Sequence, residues 1–260
     1  MNQFNIPIHQ PYDFKTILAF LKRHKAFGIE DVSDECYTRY VQRDKNYAII
    51  KVKMVQNEDA LEVSLDGFAS DEEEGVIENI KHFFDTQHNP KSLPKLTGVR
   101  VIGCYEPFEI AVSIILGQLI LVKQATKKFA QLIEEFGTPI KDAIYRFPTP
   151  KELSDAKLEN LSITKTKSGA IRSLSIMCYD DEIFLENDFD RAREKLLSIK
   201  GIGPWTTEMI MMRCYKDKDA FAKNDLFIQK AIKKNLIDEK LWSSNRAYLT
   251  HYIWNKGVQK

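Results

Sequence analysis

No stretch of this 260-residue chain holds the roughly 20 consecutive apolar residues that a membrane-spanning helix needs, which argues against an integral membrane protein. The opening MNQFNIPIHQPYDF lacks a basic segment followed by an apolar one, so a cytoplasmic location is expected rather than secretion. Cysteine is sparse: Cys36, Cys104, Cys178 and Cys214 lie far apart with no C-x-x-C pair. That spacing excludes the common zinc and clustered iron–sulfur patterns, and four reduced thiols with no side-chain metal site are expected. A charge excess is missing too. Lys and Arg number 38 against 37 Asp and Glu, a formal net charge of +1, so affinity for a polyanion would have to come from a local patch. No internal repeat of fixed period is present.

With 43% hydrophobic and 29% charged residues, the chain reads as an ordinary globular protein long enough for two modest domains. From Asn46 to Gln56, Ile50, Val52 and Met54 alternate with Lys51, Lys53 and Val55, the pattern of a half-buried strand. The polar turn Asn57-Glu58-Asp59 leads into Leu61, Val63 and Leu65 alternating with Glu62, Ser64 and Asp66, which predicts an antiparallel partner. A helix is expected over 14–24, a strand around Cys36 to Val41, and a second helix over DEEEGVIENIKHFFD. The segment QHNPKSLPKLTG has two prolines and no apolar period, and marks a connection. Everything beyond it is helical in period, with Phe108, Val112, Ile115 and Leu119 in one helix and others over 122–136, after Pro150, over 167–178 and over 189–199. The expected fold is a small α+β domain over 1–98, an antiparallel sheet with helices, followed by a mostly α-helical region over 99–260.

Within that helical region the stretch LLSIKGIGPWTTEMI interrupts itself. Gly201 is able to take the positive φ that closes a helix, and Pro204 suits the first turn of a new one because its missing N–H would have no partner there. A tight turn between two helices is predicted. Its outward amides, with no side chain on the glycines to block approach, form a site for one phosphate. Many globular proteins carry G-x-G at a helix junction, so the turn alone does not define a function. Asp225, in FAKNDLFIQKAIKK, starts a further helix. It reads either as a first-turn acid favoured by the helix dipole or as a carboxylate facing a cleft.

Together these segments resemble the helix-hairpin-helix DNA glycosylases, and within them the bacterial 3-methyladenine DNA glycosylase II, or AlkA-type, family. The resemblance rests on the hairpin and on AFAKNDLFIQKAI, supported in order by PYDF, FDTQHNP, CYEPFEIAVSIILGQL, FPTPKEL and RAYLTHYIW. It implies a helix-hairpin-helix glycosylase bundle after the α+β domain, with a DNA-binding cleft. Asp225 corresponds by position to the catalytic aspartate. Trp205, Trp254 and Phe20 correspond to walls of the base pocket, to which Gln118, Met209 and Leu226 are also assigned. Leu119 corresponds to the wedge that fills the space left by an extruded base. Lys200, Gly201, Ile202, Gly203 and Thr206 correspond to the DNA-gripping hairpin, whose backbone carbonyls in relatives hold a monovalent cation.

The reaction implied is hydrolysis of the N-glycosidic bond of alkylated purines, of the 3-methyladenine and 7-methylguanine type, in double-stranded DNA, leaving an abasic site. No cofactor, membrane or obligate protein partner is expected, and the chain is expected to act as a monomer. Alkylation at a ring nitrogen leaves the purine cationic, so indole faces would attract it by roughly 0.5–2 kcal/mol and protonation of the leaving base is unnecessary. Bifunctional relatives carry a lysine where Trp205 stands, which predicts a monofunctional enzyme. Met209 and Leu226 depart from the family, whose close members often have aromatic residues there, so a roomier pocket is expected. Lys165, Lys167, Arg172 and Lys223 are candidates for phosphate contacts. Two rival readings remain: a non-catalytic DNA-binding module, and an oxidised-guanine glycosylase with lyase activity.

Overall fold

The computed structural model describes residues 1–43, 46–180 and 183–256. Its N-terminal part is a five-stranded antiparallel sheet formed by β1 (Asn2–Pro7), β2 (Glu30–Val32), β3 (Cys36–Arg43), β4 (Asn46–Met54) and β5 (Ala60–Asp66), in the order β1-β5-β4-β3-β2. The alternation read from the sequence sets the register, with Ile50 opposite Leu65 and Val52 opposite Val63. All four of these side chains are buried on one face, which packs with α1 (Phe14–His24) and α2 (Ser70–Phe84) through Ile17, Leu18, Ile80, Phe83 and Phe84.

The remainder is built from α3 (Pro107–Gly117), α4 (Val122–Phe136), a short hairpin of β6 (Thr138–Lys141) and β7 (Ile144–Arg146), α5 (Pro150–Ser154), α6 (Lys165–Asp180), α7 (Phe189–Ser198), α8 (Pro204–Cys214), α9 (Leu226–Lys233) and α10 (Arg246–Lys256). The hairpin corrects the expectation that this region is helical throughout. Its turn residues Asp142 and Ala143 both have positive φ (49° and 62°), the twist that suits a two-residue hairpin.

A second hydrophobic core, centred on Val112, Ile115, Leu132, Ile171, Leu174, Leu196 and Ile210, fills the helical part. The two cores interlock. Ala26 and Ile29 join the helical core, whereas Ile102, Tyr105 and Trp254 touch the sheet's core. Between them lies a buried ion cluster in which Arg39 donates to both carboxylate oxygens of Glu109, at 2.6 and 3.2 Å, and to Glu30 at 3.3 Å, while the Tyr37 hydroxyl donates to Glu30 at 2.6 Å. Desolvation raises the Glu109 carboxyl above its ordinary pKa against the pull of Arg39. Asp85, also buried, accepts from the Val101 amide, Lys216 and the Tyr248 hydroxyl, tying the end of α2 to α10. Through Tyr248 the sheet domain holds the helix that carries Trp254.

Candidate active site

The interruption in LLSIKGIGPWTTEMI is a turn between α7 and α8. Gly201 has φ +99°, in the region L side chains avoid, and a Cβ there would meet Thr166 Cγ2 at 2.9 Å and its carbonyl oxygen at 3.0 Å. Gly203 is different. Its φ of −104° suits any residue, and a Cβ would meet nothing within 4 Å. One glycine therefore lets the turn close on α6, and the other leaves the approach to the turn open. Thr207 makes the first amide bond of α8, to the Gly203 carbonyl. The amides of Gly203, Trp205 and Thr206 precede it, where an anion is favoured. The Ile199, Gly201 and Gly203 carbonyls accept from Ile202 N, Gln118 Nε2 and Thr207 N, respectively. Each carbonyl keeps a second lone pair, so the turn's oxygens fit the monovalent cation that the resemblance implies.

Two expected DNA-contacting residues face inward. Ile202 and Thr206 are buried, and the Thr206 hydroxyl accepts from Gln118 Nε2 at 2.8 Å, so these two can offer DNA only their backbone. Gln118 also donates to the Gly201 carbonyl at 2.9 Å. Its amide nitrogen is thus engaged by the hairpin. The consequence is positional. The next residue, Leu119, is 104% exposed with φ +57°, a rare conformation for leucine, and Gln118 tethers it to the turn. Lys167 donates to the Leu116 carbonyl at 2.8 Å, and Arg172 holds the Ala156 carbonyl and Glu159. These two candidates for phosphate contact are occupied within the chain, whereas Lys165 and Lys200 are exposed.

Asp225 is the N-cap of α9, and its Oδ1 accepts from the amides of Phe227 at 2.9 Å and Ile228 at 3.2 Å. The Trp254 indole donates to the same oxygen at 3.3 Å, and the Trp205 indole donates to Oδ2 at 3.5 Å. The turn, α9 and α10 thus converge on one half-buried carboxylate with a tryptophan on each side. Its donors are all neutral, so the group is held in place without a cation to cancel its charge. Oδ1 is saturated by three donors; Oδ2 has one long contact and keeps accepting capacity.

Behind Trp254 runs a file of rings of which the sequence reading singled out Phe20 but neither His251 nor His24. His251 meets Trp254 edge to face with centroids 5.2 Å apart, Phe20 lies 5.6 Å from His251, and His24 stacks on Phe20 at 4.3 Å. The Arg213 guanidinium sits 5.1 Å over Phe20. Phe20, 7% exposed and packed from several sides, presents little surface to a ligand. Burial, reinforced by Arg213, pushes His251 down to about 3, and burial pushes His24 to about 4, so both rings are neutral near pH 7. The signal for His251 was its place one helical turn before Trp254 in RAYLTHYIW. Met209 is buried in the helical core, whereas Leu226 is 60% exposed beside Asp225. Among the described residues no group of three His, Cys, Asp or Glu is arranged to hold a metal ion, and no helix is long and apolar enough to cross a membrane.

With the hairpin, the aspartate and the two-part fold in view, comparison with known proteins is informative. Residues 3–100 match the AlkA N-terminal domain model. The 3-methyladenine DNA-glycosylase from Archaeoglobus fulgidus aligns over 100% of both chains with a TM-score of 0.81 at 18% identity, a likeness of fold. The fold is that of the helix-hairpin-helix glycosylases. DNA-3-methyladenine glycosylase 2 of Escherichia coli is 25% identical over 94% of each chain. A probable bifunctional transcriptional activator/DNA repair enzyme AlkA of Mycobacterium tuberculosis is 24% identical over 96% of this chain, which spans about half (56%) of that relative's length. The chain is thus similar to AlkA-type glycosylases in its N-terminal domain model, in these relatives and in fold.

Proposed function

We propose that the chain is a monofunctional DNA glycosylase that extrudes alkylated purines of the 3-methyladenine and 7-methylguanine type from double-stranded DNA and hydrolyses their N-glycosidic bond. The observation that carries the reading is the Asp225 carboxylate, fixed between Trp205 and Trp254 by neutral donors alone. Rotating a nucleotide out of a duplex costs a few kcal/mol, least for damaged pairs, and exposed Leu119 fills the gap while the hairpin amides grip a phosphate. The cationic base enters against the indole faces. As the C1′–N bond breaks, its electron pair returns to the base, which leaves neutral. Asp225 stabilises the cationic, oxocarbenium-like sugar electrostatically through Oδ2, then orients the water that adds at C1′ and accepts its proton. Exposed Leu226 and buried Met209 leave the pocket less aromatic than in close relatives, which narrows or shifts the set of bases released. The enzyme acts in the cytosol as a monomer, without a cofactor.

Supporting monofunctional chemistry, α8 reads PWTTEMIMMRC and contains no lysine to form a Schiff base with the sugar. Incubation with methylated DNA and identification of the freed bases tests the reading, with Asp225→Asn as the control that binds DNA and releases nothing. Equal loss of binding and release in that variant would favour a non-catalytic module. A borohydride-trapped covalent adduct would favour a lyase.

A further inference from the structure

α9 begins at Asp225 and presents an outer face whose composition is one-sided. Ile228 and Ala231 are buried, while Leu226 (60% exposed), Phe227 (48% exposed), Lys230 and Lys233 face solvent. The helix contains no acidic residue, and its N-cap carboxylate is the one already bound by amides and indoles. Lys230 and Lys233 form no ion pair among the described residues, although the chain has nearly as many acids as bases and pairs many of its other cations. Lys230 Nζ lies 5.9 Å over the Phe227 ring, which groups the exposed aromatic and the cation on one side.

We propose that this outer face of α9 is a second grip on DNA, in which Lys230 and Lys233 contact backbone phosphates flanking the lesion and Phe227 packs on an adjoining sugar. The proposal rests on the glycosylase reading for its substrate, a DNA duplex. Its physical basis is separate: continuity with Asp225 and complementarity of an unpaired cationic face to a polyanion. At 1.5 Å per residue the eight residues of α9 extend about 12 Å from the carboxylate, the rise of three to four nucleotides on one strand. The hairpin meets Asp225 through Trp205, and α9 starts from it. Two grips on either side of one sugar would hold the backbone in tension while the nucleotide rotates out. A single grip leaves the flanking strand free to follow the rotation. A near-neutral protein thereby gains local affinity for DNA that its net charge does not supply.

The test is the salt dependence of binding to an undamaged duplex, read as the slope of log K against log salt concentration. Lys230→Ala with Lys233→Ala is expected to lower that slope by about 1–2, because each phosphate contact contributes about 0.9, and Lys230→Arg with Lys233→Arg is expected to restore it. Lys51→Ala, on the sheet, is the control and leaves the slope unchanged. A slope unchanged in the double variant overturns the second grip, even where Asp225→Asn abolishes release. A reduced slope in a protein that frees no base supports the grip and sinks the glycosylase reading instead.

Discussion

Asp225 and Glu109 each stand at the start of a helix, the first as the N-cap of α9 and the second in the opening turn of α3, and they are held by opposite means. Glu109 is buried and meets the Arg39 guanidinium with both oxygens, so its charge is neutralised where it sits. Asp225 is half-buried and receives two amide and two indole protons but, among the described residues, no cation. A guanidinium ties the sheet to the helical part at the cost of the carboxylate's reach. Neutral dipoles fix the position of an acid and leave its field available to a sugar that becomes cationic. The two carboxylates thus differ in their partners: Glu109 meets a guanidinium, and Asp225 meets amides and indoles.

This contrast can be broken at its structural end first. Glu109→Ala strands a buried guanidinium and should cost about 3–5 kcal/mol of stability, read from urea unfolding, while the base-release rate per folded molecule persists. Asp225→Asn keeps a good N-cap, so the melting temperature should hardly change, yet single-turnover release should fall roughly 10²–10³-fold. If the two variants exchanged these effects, the distinction between the carboxylates would be wrong.

The two glycines of the turn sharpen the same division between building and acting. Gly201→Ala forces a Cβ against Thr166 at an unfavourable φ and should lose about 1–3 kcal/mol of stability. Gly203→Ala should stay within about 0.5 kcal/mol of the parent, and weaker duplex binding in a titration would be its main effect. A pH-dependent effect concerns His251, whose folded pKa of about 3 lies below an unfolded value near 6.5. Its neutral packing contributes stability above pH 6.5 that is lost as pH falls toward 3, because the unfolded chain binds the proton first. That amounts to about 1.4 kcal/mol per pH unit from this residue, and His251→Phe should flatten the urea-unfolding profile by that amount.

Much of the architecture is legible in the residues, for identifiable reasons. β4 and β5 stand out because a strand with one buried face must alternate, and the α7–α8 turn stands out because glycine and proline punctuate helices. β1 escaped the reading, although Phe4, Ile6 and Ile8 alternate, because the pattern is short and polar residues surround it. The β6–β7 hairpin escaped it for a different reason. Its turn uses Asp142-Ala143 where asparagine and glycine are the usual markers, and Pro139 sits within β6. At the candidate site, Asp225, Trp205 and Trp254 could be named from the resemblance, but their convergence could not be read from spacing. Gln118 could be placed near the hairpin, but not its role as the tether that aims Leu119.

The chain's order of apolar and polar residues was enough to determine two cores, an antiparallel sheet followed by helices, and a glycine turn that must interrupt one of them. Periodicity and backbone sterics act between near neighbours, so they are written locally. Which carboxylate meets a guanidinium, which glycine opens outward, and which lysines are spent on carbonyls inside the fold were decided only by tertiary structure. Those outcomes depend on partners dozens of residues away, and desolvation and hydrogen bonding take effect only once packing brings the partners together.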